Sequence, residues 1–360
     1  MNHFYGYDTQ IDTTFEDGDI RQRFFGTQAG LSWYSTHVDS SHLNYHADLN
    51  YRYFQDDFSF SENYLQLKGS VEKYFNAEMG GLIPITTTRG CPYNCDFCCV
   101  TDLFGKRIRH IPVENIVRDI KESKAKNFIF LDDNIIGDPK YAKELFRAIK
   151  PLSINWGGQA SVTLLVKDKE LMQLAADSGC KVLFLGIESI GEEQSKSFKK
   201  SIKEIKELED SLKKIKESGI LIHASMVFGM DSDKKEIFDE TVKFLIKNKV
   251  STVSFNILTP YPGTKVYKDL KKENRLTTTD WRYYDHNTVV FEPKNMSRYE
   301  LQMGKTRARK KFYSISSVLK RLPGNMSSPF IYLAMNYGNI KQVRAEAKRV
   351  AELKPKLFND

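Results

Sequence analysis

The sequence predicts an α/β protein whose core is an incomplete (β/α)6 TIM-like barrel, with a short β-rich extension before it and helices after it. Three observations predict this. From residue 82 onward, apolar runs rich in β-branched residues alternate six times with amphipathic stretches of helical period. Those runs are apolar almost throughout, as strands covered on both faces of a parallel sheet are. Charge sign, lysine content and hydrophobic period all change near residues 75–80: residues 1–75 carry eleven acidic against five basic residues, leaving 35 acidic and 49 basic for the remainder. The predicted boundaries are therefore 1–76 for the acidic extension, 77–296 for the core barrel and 297–360 for a basic helical region.

In the extension, period-two alternation at Leu31, Trp33 and Ser35, again from Leu43 to Tyr53, and again from Leu65 to Val71, predicts three long strands. Breaks at HVDSSH and FQDDFSFSEN would join them as an antiparallel meander. Aromatic strands with acidic turns are similar to hairpins of outer-membrane barrels, but three strands cannot close a barrel. The reading is a small β-extension, fused or foreign in origin, without a function of its own.

In the core, the expected strands are LIPITTT (82–88), NFIFLDD (127–133), INWGGQAS (154–161), KVLFLGIES (181–189), ILIHASMVFGM (220–230) and STVSFNILTP (251–260). Helical periods follow at 112–124, 139–149, 167–178, 202–218, 234–247 and 264–272, several opening on Pro or Asp and closing near Gly. In barrels of this kind the active groups stand at the C-terminal strand ends. Here those ends read TTTRGC, LDDN, GQAS, GIES, FGMD and TPYPGT, which supply polar side chains and glycines.

Composition excludes several classes. At 360 residues, 41% hydrophobic and 28% charged, the chain is not a disordered one. No run approaches the roughly 18–20 apolar residues of a membrane-spanning helix, and the opening MNHFYGYDTQ lacks a basic then apolar leader. A soluble, cytoplasmic protein is expected. Five cysteines, three of them within eight residues, suit metal binding better than disulfides.

The cysteine cluster RGCPYNCDFCCV, with spacing C-x3-C-x2-C directly after the first core strand, is the strongest chemical feature. Thiolates bind iron–sulfur clusters, and a four-iron cluster normally takes four protein ligands, so three leave one iron open to a chelating substrate. The alternative is a zinc site using the same three cysteines with Cys99 or His110; this spacing, without a second cysteine pair downstream, suits zinc poorly. Cys99 should point away from its neighbour, and Cys180, before an apolar strand, reads as core. His223, inside the fifth core strand, reads as a satisfied interior histidine.

CPYNCDFC resembles the signature of the radical S-adenosylmethionine superfamily. FLDDNIIGDPKYAKELFRAI, WGGQASV, GCKVLFLGIESI, FGMDSD, ILTPYPGT and FEPKNMS extend the resemblance to its cobalamin-type group, which includes hopanoid methylases and the anaerobic cyclase of chlorophyll synthesis. The resemblance implies a 4Fe-4S cluster on Cys91, Cys95 and Cys98, with S-adenosylmethionine chelating the open iron and being cleaved to start radical chemistry. It also implies that Phe97 lies beside the adenine, that Asp132, Asp133 and Asn134 position the methionine moiety, and that Glu188 faces the ribose or the methionine end. Gln159 is a further cofactor-binding candidate, as is Gly229, where the backbone would approach the adenine closely. The bland reading of the acidic pair is a helix N-cap, for which Asp138–Pro139 is a competitor. No residue is assigned to the chemical step itself.

Cobalamin-type members usually carry an N-terminal domain of their own, often with a D-x-H-x-x-G segment, and no such segment occurs here. Cobalamin therefore stays open as a cofactor: it is unused, or brought by another chain, or the reading frame is a truncated or fused product. Methylation, cyclisation or oxidation of a small hydrophobic substrate, a lipid or a tetrapyrrole, is the expected chemistry, with a flavodoxin or ferredoxin as electron donor. A tRNA-modifying enzyme and an iron–sulfur relic without turnover are the alternatives. Methylthiotransferases on tRNA carry three further N-terminal cysteines, and none precedes Cys91. The basic C-terminal helices, with Arg307, Arg309, Lys310, Lys311, Lys320 and Arg321, fit solvated faces covering the barrel or a peripheral membrane contact better than nucleic acid.

Overall fold

The computed structural model describes residues 82–191 and 205–357, together with four short strands near the N-terminus. Those four pair antiparallel, β1 (Asn2–Phe4) with β2 (Thr9–Ile11) and β3 (Arg23–Phe24) with β4 (Trp33–Tyr34). Of the three long strands expected in the extension, only Trp33–Tyr34 falls on described residues; the rest of them lies outside.

Six parallel strands make the core sheet: β5 (Leu82–Ile85), β8 (Asn127–Phe130), β9 (Asn155–Ala160), β10 (Cys180–Glu188), β11 (Leu221–Phe228) and β12 (Thr252–Ile257), side by side in chain order. Each was expected, and each is followed by a helix, so the order is that of an incomplete barrel wound in one direction. The strands run parallel because every return passes through a helix: α2 (Val113–Ser123), α3 (Pro139–Ile149), α4 and α5 (Val162–Lys167 and Lys169–Asp177), α6 (Ile205–Glu217) and α7 (Ile237–Lys247), while α8 (Lys265–Lys272) follows the last strand. Asp138 caps α3 by accepting from Lys140 N and Tyr141 N, with Pro139 at the first position. The outward strand faces bury Phe128, Phe130 and Trp156 against these helices, where Trp156 stacks on Phe146 with 5.1 Å between centroids.

Between β5 and α2 the chain leaves the sheet. A two-residue antiparallel ladder, β6 (Thr88–Arg89) with β7 (Arg109–His110), closes this excursion, and the short helix α1 (Val100–Phe104) lies within it. Neither element has enough residues for a periodic signal in sequence. The ladder holds the ends of the cysteine loop together.

After β12 come the short helix α8 and then the C-terminal helices α9 (Arg298–Phe312), α10 (Ile315–Arg321) and α11 (Pro329–Leu357). Ser297 and Glu300 form a reciprocal capping box at the start of α9. These helices seal the β12 edge of the sheet. The Tyr313 hydroxyl accepts from Val253 N at 2.9 Å and donates to Val253 O at 2.7 Å. The buried Arg321 guanidinium donates to the carbonyls of Val250 and Ser251 at 3.0 and 2.5 Å. Backbone groups that an edge strand leaves without a ladder partner are thus satisfied by side chains. Among the described residues, no helix is long and apolar enough to cross a membrane.

Candidate active site at the strand ends

The C-terminal ends of the strands surround a cavity of about 170 Å³. Cys91, Cys95 and Cys98 line it, with Phe97, Asp133, Asn134, Gln159 and Glu188. Eight of the ten residues singled out in the sequence therefore meet at one place. The remaining two, Asp132 and Gly229, do not line it.

The chain has left β8 by this point, and it sends the two carboxylates to different places: of the Asp132–Asp133 pair only Asp133 lines the cavity. Asp132 is fully buried beneath the start of the cysteine loop. Its Oδ1 accepts from Thr87 N (3.0 Å), Thr87 Oγ1 (2.8 Å), Thr88 Oγ1 (2.7 Å) and also Thr88 N. Its Oδ2 is buried without a hydrogen-bond partner. Burial lifts this carboxyl to about 6, against the pull of the threonine donors. Asp133, in contrast, accepts from Gly90 N at 3.1 Å. Both acids grip the chain just before Cys91, and the helix cap they were weighed against is Asp138.

Gly90 has a φ of 97°, and a Cβ there would stand 2.8 Å from the Arg107 carbonyl. The loop can begin here because glycine permits both. Within it, Cys98 N donates to Cys95 O at 3.1 Å and Thr101 Oγ1 to Tyr93 O at 2.6 Å. The loop is fastened to the far side of the sheet as well: Val266 N, at the start of α8, donates to Asp96 O at 3.1 Å. Cys99, expected to point away, also lines the cavity, where it packs against Tyr261, Tyr284 and Val290. Cys180 is buried core, its thiol pushed well up by burial. His110 sits outside the cavity lining, 3.2 Å from Asp138 Oδ2 and with its ring tilted 32° against that of Tyr141.

On β10 to β12 the inward positions recur every second residue: Phe184, Gly186 and Glu188; His223, Ser225 and Val227; Ser254 and Asn256. Glu188 ends β10 at a bulge, where its register against β11 shifts after Gly186, and has a φ of 66°. A non-glycine residue in the left-handed region costs backbone energy that the surroundings must hold in place, a pattern concentrated at functional sites. Asn134 Oδ1 accepts from Ser161 N at 3.3 Å, joining the β8 and β9 ends. Gly229 lies past β11 in a turn, its N–H donated to Asp233 Oδ2 at 2.8 Å. With a φ of 102°, and Leu301 and Phe291 each 2.9 Å from where a Cβ would stand, its glycine serves the turn and the packing.

Two histidines share the cavity wall. His223 has both ring nitrogens engaged, Nδ1 with Thr252 Oγ1 and Nε2 with Ser254 Oγ, each at 2.9 Å. Its interior, satisfied character is as expected from sequence. His286, which sequence reasoning missed, places Nε2 3.2 Å from the Tyr261 hydroxyl. That hydroxyl donates its proton to Tyr284 O at 3.0 Å, so the imidazole supplies the proton in the His286–Tyr261 contact. Burial holds both histidines down to about 4. The loop bearing His286 is tied to the C-terminal helices by Gln302, Lys305 and Arg349, through Asn287, Val289 and Asp285. Polar inward positions in otherwise apolar strands were a legible signal for Ser225, Ser254 and Asn256; nothing periodic marks residue 286.

The donor set suits an iron–sulfur cluster. Three thiols on one loop all reach the same cavity, and a cluster distributes such ligands over separate irons. Among the described residues, no three His, Cys, Asp or Glu side chains converge as ligands of a single ion. Burial, and then the neighbouring Cys99, Cys95 and Asp133, hold the Cys98 thiol well above its ordinary range; iron at that sulfur would offset this.

The model of the radical SAM superfamily matches residues 85–274, from the end of β5 to just past α8. The chain belongs to the radical SAM superfamily. Among relatives of this radical SAM protein, the bacteriochlorophyllide d C-12(1)-methyltransferase of Chlorobaculum tepidum is 31% identical over 74% of the chain and 58% of its own length. The hopanoid C-3 methylase of Methylococcus capsulatus is 26% identical over 61% of the chain and 42% of its own length. The chain spans about half the length of the curated relatives it matches. In fold it is similar to the radical S-adenosylmethionine methyltransferase TsrM of Kitasatospora setae, solved with cobalamin and a [4Fe-4S] cluster, at a TM-score of 0.56 and 16% identity over 75% of this chain and 62% of that one. The cobalamin-dependent enzyme OxsB gives a TM-score of 0.55 at 15% identity, over 85% and 51%.

Proposed function

We propose that this radical SAM protein is an enzyme that holds a 4Fe-4S cluster on Cys91, Cys95 and Cys98, binds S-adenosylmethionine beside it, and modifies a small hydrophobic substrate, a tetrapyrrole or a lipid. The observation that carries the reading is that the three thiols share one cavity with the polar ends of β8 to β12. Bound there, cluster and S-adenosylmethionine supply reductive cleavage of the sulfonium C–S bond.

The chain's own residues do the rest. Asn134, Gln159 and Glu188 offer amide and carboxylate groups to the amino, carboxyl and hydroxyl groups of the cofactor. Phe97 offers a ring face to its adenine. Asp132 and Asp133 act one step back, by fixing the backbone from Thr87 to Gly90 and so the direction in which Cys91 is presented. Phe184, Val227, Ile257 and Leu258 give the cavity apolar surface that excludes water from a reactive centre. The substrate class is supported by relatives named as methyltransferases of bacteriochlorophyllide, a hopanoid methylase and an anaerobic magnesium-protoporphyrin cyclase. Cobalamin is held open as a second cofactor, and a flavodoxin or ferredoxin is the proposed reductant.

The test is anaerobic reconstitution followed by iron and sulfide analysis and assay of 5'-deoxyadenosine release under dithionite, with Cys95→Ala as the comparison. About four irons per chain, with nucleoside release lost in the variant, is the expected result. Zinc in place of iron, or well-loaded protein that leaves S-adenosylmethionine intact, counts against the reading.

A further inference from the structure

Residues 301–345 hold nine Lys/Arg and no Asp or Glu. The same stretch contains six of the nine large hydrophobic side chains that stand exposed on the described residues. The two facts concern different physics, and their coincidence in one stretch of the chain needs a common cause.

The apolar groups follow the helices. Phe330, Leu333 and Tyr337 fall at i, i+3 and i+7 on α11, one face, with Met326 in the turn before it; Ile315 and Leu319 sit at i and i+4 on α10. Phe330 is 85% exposed and Ile315 73%. The opposite faces are where the helices are held: Tyr332 and Asn336 of α11 are buried, and the Tyr332 hydroxyl donates to Val318 O of α10 at 2.7 Å, so the two helices adjoin. The exposed stripe is therefore surplus to packing.

The cations divide in the same way. Lys305 and Arg309 are taken by Glu346, Lys311 by Asp239, and Arg321 by backbone carbonyls and Asn336. Arg307, Lys310, Lys320 and Lys341 stay exposed. Lys249 adds a further charge from the neighbouring loop, donating to Lys320 O at 2.7 Å.

We propose that the outer face of α10 and α11 is a docking surface for an anionic lipid bilayer, the apolar stripe entering the headgroup boundary and the exposed Lys320 and Lys341 meeting lipid phosphates. An exposed apolar patch flanked by exposed cations is the composition that interfacial helices use. Nucleic acid would use the cations but not Ile315, Leu319 and Leu333. A second copy would use the apolar stripe but set one row of cations against another. This surface is independent of the cluster, so the inference stands or falls apart from the proposed activity.

The test is flotation of the full chain with vesicles of phosphatidylcholine alone or with about one-third phosphatidylglycerol. The expected result is recovery with the anionic vesicles only, weakened by high salt. Phe330→Ser with Leu333→Ser should lower binding at least about tenfold, and Lys320→Gln with Lys341→Gln roughly 25-fold, with thermal melting showing that both pairs still fold. Equal recovery on neutral and anionic vesicles overturns the proposal, as does failure to float. So do gel filtration in which Phe330→Ser converts a dimer to a monomer, and retention on an RNA oligonucleotide that the lysine variants abolish.

Discussion

Asp133 Oδ2 accepts the backbone N–H of Gly90 at 3.1 Å, so a carboxylate at the end of the second core strand fixes the residue directly before Cys91. Removing it frees the loop where it enters the site. Asp133→Ala should leave the fold intact yet retain iron roughly tenfold less well under chelator challenge, the loss of one charged hydrogen bond of about 1.5–3 kcal/mol. Asp133→Asn, which keeps an acceptor, should recover most of it. Equal iron retention in the alanine variant would show that the bond does not position Cys91.

Asp132 predicts an effect of pH on stability. Its carboxyl titrates at about 6 in the fold against 3.8 unfolded, so between these values the folded chain holds a proton that the unfolded chain has released. Its contribution to stability therefore falls as pH rises across that window, by up to about 3 kcal/mol. The difference in urea stability between Asp132→Asn and the parent should grow in the variant's favour from pH 4 to 6 and then level off.

His223 runs the other way. Held down to about 4 from 6.5 by burial, it is neutral in the fold at neutral pH. Its contribution is full above 6.5 and is lost as pH falls towards 4, again by about 3 kcal/mol. His223→Gln should be less sensitive to acid than the parent over that range. Imidazole proton shifts of His223 and His286 should not move between pH 8 and 6.

Glu188 couples stability to function in opposite senses. Its φ of 66° is glycine's territory, so Glu188→Gly should leave stability unchanged or raise it by up to about 1 kcal/mol while weakening S-adenosylmethionine binding. Glu188→Ala removes the carboxylate but keeps the strain. Calorimetry with the cofactor, beside denaturant melts, separates the two.

Gly229→Ala should destabilise by roughly 1–3 kcal/mol, because the new methyl meets Leu301 and Phe291 and the φ of 102° disfavours it. Cofactor binding in the surviving folded fraction should be unchanged, since Gly229 is not part of the cavity wall.

The six parallel strands were legible because strands buried on both faces need largely apolar runs, and LIPI, NFIF and VLFLGI supply them. The cysteine loop was legible from spacing alone. The β6–β7 ladder was not, since two residues carry no period, and α4 was absorbed into the approach to α5. Which of Asp132 and Asp133 lines the cavity was equally hidden, because it depends on the hydroxyls of Thr87 and Thr88, far along the chain, which hold Asp132 away from it. His286 depends on a loop whose anchors, Gln302, Lys305 and Arg349, lie far along the chain.

The treatment of β12 bears on how the protein behaves in a crowded solution. A sheet edge is a template on which a partly unfolded neighbour can grow a strand. Here Tyr313 occupies both backbone groups of Val253, and Arg321 caps the carbonyls of Val250 and Ser251. Loss of these two side chains would leave the site's residues untouched while uncovering that template. The first symptom of damage to the C-terminal helices should then be aggregation during folding and storage, ahead of any loss of chemistry.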